Sequence, residues 1–179
     1  MVNLETNTVN VWLFYLINHT RHPLLDGFFS WFYIFGKGWV LIPAFMAVLV
    51  FYRECTKTFL LSAAIMELLV GTLKYILDQK RPLSLLNDVY TLSERLYHHS
   101  FPSGDTATAF LVLAFFYGRV NRYIRLLLLA YALLIAYGRV YSGVHFPIDV
   151  FVGALIGIFS YLLSRKLILR SSSANLLSL

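Results

Sequence analysis

Five apolar stretches decide what this chain can become. They run roughly from Trp39 to Tyr52, Phe59 to Leu77, Thr106 to Tyr117 with extensions at both ends, Ile124 to Tyr137 and Pro147 to Leu163. A membrane-crossing helix needs about 20 mostly apolar residues, and these segments reach or approach that length with their flanks. Hydrophobic residues make up 59% of the 179 and charged residues 13%, with a mean hydropathy of +0.68. A soluble domain of this size could not hide so much apolar surface. The net charge of +6 does not rescue a nucleic-acid-binding reading, because such domains are basic without being this apolar.

The expectation is therefore an all-α, polytopic membrane bundle of about six helices forming one domain over residues 1–179. Leu24 to Phe35 is also apolar and stops at Gly36-Lys37-Gly38, as a sixth pass or a half-helix. Residues 1–22 read as an N-terminal interfacial segment, because Val9 to Ile17 mixes Asn with Trp, Leu, Phe and Tyr. Residues 171–179, opening with three serines, read as a cytoplasmic tail. The acidic start, MVNLETN, lacks the positive region of a cleaved signal peptide. The lone Cys55 has no disulfide partner in the chain.

If the five clear helices alternate, Arg53, Lys57, Arg119, Arg122, Arg125, Arg165, Lys166 and Arg170 fall on one side, opposed only by Glu54. The positive-inside rule makes that side cytoplasmic. The segment from Lys80 to Pro102 and the link from Arg139 to Phe146 then face the periplasm or exterior of a cytoplasmic (inner) membrane.

Three polar clusters converge on that outer face. In KYILDQKRP, Lys74 and Arg81 are about two helical turns apart and so share one helical face, with Pro82 ending the span. Taken alone, they also fit two cations snorkelling at a membrane boundary. In FPSGDTA, Ser103 and Gly104 open a helix and offer a hydroxyl and free N–H groups to an anion. Alone, that is an ordinary helix cap. In GRVYSGVHFPID, Asp149 lies four residues beyond His145, placed to accept its Nδ1 proton and leave Nε2 free as a nucleophile. Three cations, a helix start and an oriented imidazole suit a transferring phosphoryl group. No carboxylate cage is evident, so neither a metal nor another cofactor is expected.

These motifs resemble the phosphatidic acid phosphatase type 2 superfamily, which includes membrane lipid phosphatases and vanadium haloperoxidases. The family signature reads K-x6-RP, PSGH and SR-x5-H-x3-D. This chain has Lys74-x6-Arg81-Pro82, Pro102-Ser103-Gly104-Asp105 and Gly138-Arg139-x5-His145-x3-Asp149. The resemblance implies a six-helix bundle and a phosphohistidine on His145, oriented by Asp149. It further implies phosphate binding by Lys74, Arg81, Arg139, Ser103 and the Gly104 backbone. The implied substrate is a lipid phosphate or diphosphate: undecaprenyl diphosphate, lipid A 1-phosphate or phosphatidylglycerophosphate. Tyr97, His98 and His99 are candidates for head-group contacts. Oligomeric state is left open.

Two positions depart from the signature. Gly138 stands for a serine, and Asp105 stands for the histidine that protonates the leaving group. Asp105 is then a working acid, a residue made dispensable by a stable leaving group, or a mark of lost activity, with His98 or His99 as a substitute acid. A lipid-to-lipid phosphotransferase and a non-catalytic head-group binder are the alternative functions.

Overall fold

The structure, a computed structural model, describes residues 4–92 and 95–177. Among these residues all the regular structure is helical. The order is α1 (Thr8–Asn18), α2 (Pro23–Phe32), α3 (Leu41–Phe51), α4 (Thr56–Leu77), a short turn α5 (Pro82–Leu85), α6 (Gly104–Phe116), α7 (Arg122–Tyr141) and α8 (Pro147–Leu177). Three helical stretches are long and apolar enough to cross a bilayer: residues 53–85, 122–141 and 147–170. A fourth crossing is available if α2 and α3 act as one, because their 3-10 extensions meet at a bend of 59°. The chain is a multi-pass membrane protein. The 171–179 tail continues α8 to Leu177, and its last two residues lie outside the described set.

Two expectations change. Leu24–Phe35 and Trp39–Tyr52 meet as a bent pair, which fits the half-helix alternative for the first and leaves the second too short to cross by itself. The stretch around Thr106 does not extend at both ends: α6 has 13 residues, roughly 20 Å against a hydrocarbon core of about 30 Å. Ser103 stops it at one end by turning extended and capping Thr106 N–H with its hydroxyl. A short helix suffices because α6 barely meets lipid. Ala107, Ala109, Leu111 and Phe115 are fully buried, and α3, α4, α7 and α8 all pack on it.

The packing of α6 on α8 depends on small residues, as close helix approach in membranes does. A Cβ at Gly157 would run into the Ala107 carbonyl and the Leu111 amide, and one at Gly153 into the Ser103 carbonyl. Phe59, Met66, Leu111 and Phe115 fill the core beside this seam. Outside it, Leu68, Leu127, Phe151, Phe159 and Leu162 are more than half exposed. That pattern, apolar outside as well as inside, suits lipid as solvent.

One end of the bundle is closed by Arg119. Its guanidinium donates to the Phe115 carbonyl and, at 3.0 Å, to Tyr161 Oη, while its own carbonyl accepts from Tyr52 Oη at 2.8 Å. The other end is held by α1. Asn18 Nδ2 donates to the carbonyls of Tyr90 and Tyr141, at 2.8 and 2.9 Å, and Asn10 Oδ1 accepts the Ile148 N–H at 3.1 Å. α1 buries Asn10, Phe14 and Asn18 and exposes Val9, Trp12 and Leu16.

Gly157→Ala should destabilise the protein by about 1–3 kcal/mol, the usual cost of overpacking. The readout is a lower thermal unfolding midpoint in detergent. Gly71→Ala, whose added methyl meets nothing, should hold or raise that midpoint through helix propensity.

Candidate active site

His145 lies on the five-residue link between α7 and α8, buried among polar groups. The link turns at Gly143, whose φ of +72° and contact with the Tyr90 carbonyl leave no room for a side chain. The ring is held from both nitrogens. Nδ1 is 3.3 Å from Asp149 Oδ2, and Nε2 is 3.4 Å from Arg81 Nη1. Asp149 Oδ2 also accepts from the Ser100 hydroxyl at 2.5 Å and the Phe146 N–H at 2.9 Å. With the carboxylate as acceptor, the proton belongs on Nδ1 and the lone pair on Nε2.

The cations arrive by different routes. Lys74 and Arg81 do not share a helical face, because α4 ends at Leu77. Asp78 takes a left-handed cap with φ of 33°, and Arg81 is extended before Pro82. The loop before α6 gathers them instead. The His99 carbonyl accepts from Lys74 Nζ at 2.6 Å and from Arg81 Nη2 at 3.2 Å. The His98 carbonyl accepts from Arg81 Nε at 2.8 Å. Arg81 Nη1 also donates to the Val144 carbonyl at 2.8 Å, which ties the cation to the histidine link. Arg139, in the last turn of α7, is buried with its Nε 3.1 Å from Asp105 Oδ2.

Burial and these three cations, Arg81, Arg139 and Lys74 in that order, hold His145 well below the usual histidine range. The imidazole is therefore neutral, as a nucleophile must be. Ser103 lies at the start of α6, fully buried, with its N–H on the Asp149 carbonyl at 3.0 Å. Its oxygen accepts from the Thr106 hydroxyl at 3.0 Å, which leaves its own proton to donate. The amides of Gly104 and Asp105, at the first helical positions, have no acceptor within the helix.

The imidazoles of His98 and His99 turn to Asp78 instead, at 3.6 and 3.0 Å, and both are more than half exposed. Tyr97 contributes its carbonyl, which accepts the Arg81 N–H and the Ser84 hydroxyl, each at 2.9 Å. Among the described residues, no three His, Cys, Asp or Glu side chains converge as a metal cage.

Three neighbours were not legible beforehand: Ser100, Asn10 and Glu5. Glu5 is fully buried in a 3-10 turn, its carbonyl accepting from Asn10 Nδ2 at 2.9 Å. Among the described residues, neither of its carboxylate oxygens has a hydrogen-bond partner, and nor does Asp149 Oδ1. Burial and then the Asp149 carboxylate push Glu5 up to about 8, with Arg81 opposing. Only an acidic residue ahead of an apolar run could have signalled it.

Such an arrangement, a neutral imidazole facing three gathered cations inside a helical membrane bundle, defines a phosphoryl-transfer enzyme. Known proteins agree. The model of the PAP2 superfamily matches residues 56–172. An undecaprenyl-diphosphatase of Sulfolobus acidocaldarius is 32% identical over 165 residues, 88% of this chain and 78% of that protein. A lipid A 4'-phosphatase of Porphyromonas gingivalis is 30% identical over 164 residues, 82% of this chain and 67% of that one. The crystal structure of Aquifex aeolicus LpxE superposes with a TM-score of 0.87 at 45% identity, covering 91% of this chain and 98% of that one. A Bacillus subtilis PAP2-type phosphatidylglycerolphosphate phosphatase shares the fold, with a TM-score of 0.72 at 22% identity over 93% of this chain and 89% of that one. The chain belongs to the PAP2 superfamily and is a phosphate-ester hydrolase of the membrane.

Two pH dependences follow. The acidic limb of kcat/KM assigned to His145 should lie well below pH 6.5, because the folded site disfavours its protonation. A limb near 6.5 would mean that the cations do not act on the ring. Glu5 works on stability. The folded chain holds its proton up to about 8, whereas the unfolded chain releases it from about 4.5. Its contribution is therefore full below the lower value and is lost as pH rises through the upper one. Glu5→Gln should gain in unfolding midpoint over the parent progressively between ~pH 5 and ~pH 8.

Proposed function

We propose that the chain removes the terminal phosphate of a lipid diphosphate through a phosphohistidine on His145. The observation that carries this reading is the Asp105–Arg139 ion pair. The ion pair turns the Asp105 carboxylate to Arg139 as a countercharge, where the family histidine would serve the leaving group, so the site suits a leaving group that departs without proton donation. An alkoxide departs poorly on those terms. A lipid monophosphate departs well, because its oxygen carries the electron pair as part of a stable anion.

Lys74, Arg81 and Arg139 hold the non-bridging oxygens of the terminal phosphate, with the Ser103 hydroxyl and the free amides of Gly104 and Asp105. His145 Nε2 attacks phosphorus as Asp149 keeps the Nδ1 proton in place. The bond to the bridging oxygen breaks and its electron pair leaves with the lipid monophosphate. Water then attacks phosphorus, the N–P bond breaks, and inorganic phosphate departs. The basic residues at the opposite end of the bundle orient the site to the outer face of the cytoplasmic membrane by the positive-inside rule. The resemblance to a lipid A 4'-phosphatase favours a second reading, a phosphate of lipid A as substrate.

Phosphate release from purified protein in detergent, with chelator present, separates the readings. Farnesyl or undecaprenyl diphosphate should turn over at least ~10-fold faster than the matching monophosphate or a lipid A phosphate, since proton donation contributes ~10²–10⁴-fold to poor leaving groups. Asp105→Asn should keep diphosphate turnover within ~5-fold, because no proton is asked of this residue. Abolished turnover in that variant would make the carboxyl an essential acid and sink the diphosphate argument.

A further inference from the structure

The bend between α2 and α3 lies directly against Asp105. Gly36, at the end of the α2 arm, is buried, and a Cβ there would sit 3.1 Å from Asp105 Cβ and 2.9 Å from Ile135 Cγ2. The next residue is a cation. Lys37 is extended between two 3-10 turns, in the middle of a largely apolar helix pair whose other charged residue, Asp26, lies in the first turn of α2. An ionisable side chain in such a place is costly and calls for a partner.

Among the described residues, Lys37 makes no ion pair. Its ammonium lies 5.3 Å from the centre of the Tyr33 ring. The guanidinium of Arg139 addresses the same ring at 5.8 Å. One tyrosine thus links the phosphoryl-gripping arginine to a second cation outside the described constellation. Glu67 approaches Gly38, its Oε1 3.9 Å from where a Cβ there would sit, and makes no ion pair with Lys37.

Charge placement gives this arrangement a purpose. With the terminal phosphate of a diphosphate held by Lys74, Arg81 and Arg139, in-line displacement sends the departing phosphate away from His145 Nε2. The Asp105 carboxylate stands next to this grip, 3.1 Å from Arg139 Nε. Two like charges meeting there would repel unless a further cation intervened. Gly38 and Trp39, which follow Lys37, are exposed, so the bend reaches the surface of the bundle, where a lipid tail could lie.

We propose that Lys37, oriented by Tyr33, forms a subsite for the second phosphate, the one that leaves with the lipid. The subsite deepens the diphosphate reading above and rests on it. It makes Lys37 a specificity-determining residue: it stabilises the departing lipid monophosphate and contributes nothing to a substrate with a single phosphate.

Binding of inorganic pyrophosphate and inorganic phosphate to the purified protein tests the subsite without turnover. The parent should bind pyrophosphate at least ~10-fold more tightly than phosphate, a typical return for one added charge-assisted contact. Lys37→Met should lose most of that margin and leave phosphate affinity within ~2-fold, and Lys37→Arg should restore it. The unchanged phosphate affinity guards against a folding defect. Equal affinities in the parent, or an equal loss of both ligands in Lys37→Met, overturn the subsite. The diphosphatase reading is judged separately: a parent that releases no phosphate from farnesyl diphosphate refutes that reading whatever Lys37 binds.

Discussion

A single carboxylate oxygen, Asp149 Oδ2, ties together the end of the bundle that carries the site. It accepts from the Ser100 hydroxyl, the Phe146 amide and the His145 ring, so it joins the loop before α6, the start of α8 and the candidate nucleophile. Arg81 completes the frame by reaching the Val144 carbonyl on one side and the His98 and His99 carbonyls on the other. Buried charges are tolerated when hydrogen bonds surround them, and here those bonds also determine which imidazole nitrogen faces the cations. Support of the fold and orientation of the ring are the same set of contacts.

The helical membrane class was legible because hydropathy reports directly on the solvent a segment prefers. The His145–Asp149 approach was legible because Pro147 forces a helix start and four residues make one turn. Local periodicity misled where the backbone changes course. Lys74 and Arg81 have helical spacing, yet the left-handed Asp78 and the restricted residue before Pro82 break the helix between them. They meet through carbonyls of a loop some 20 residues away, and no spacing rule reports on such a meeting. The length of α6 was overestimated for a related reason: hydropathy cannot tell a helix that faces lipid from one wrapped by other helices.

Asp105 shows how one substitution redistributes charge. A histidine at that position could offer a proton, whereas the carboxylate offers a countercharge to Arg139. Before any ligand arrives, the site therefore has one of its three cations partly neutralised. That lowers the cost of keeping Arg139 buried, and it leaves Lys74 and Arg81 as the stronger attractors for an entering phosphate.

The seating of α1 has a consequence for biogenesis. Asn10 is secured by Ile148, and Asn18 by Tyr141, partners more than a hundred residues downstream. As the ribosome delivers the chain, α1 can meet Tyr90 once the loop before α6 is made, but these two anchors wait until α7 has been threaded and α8 has begun. Assembly of the rim around the site thus ends in a late, long-range closure with a large loop to close, which tends to slow folding. An insertion fault in either of those helices would strand an amphipathic α1 at the bilayer surface.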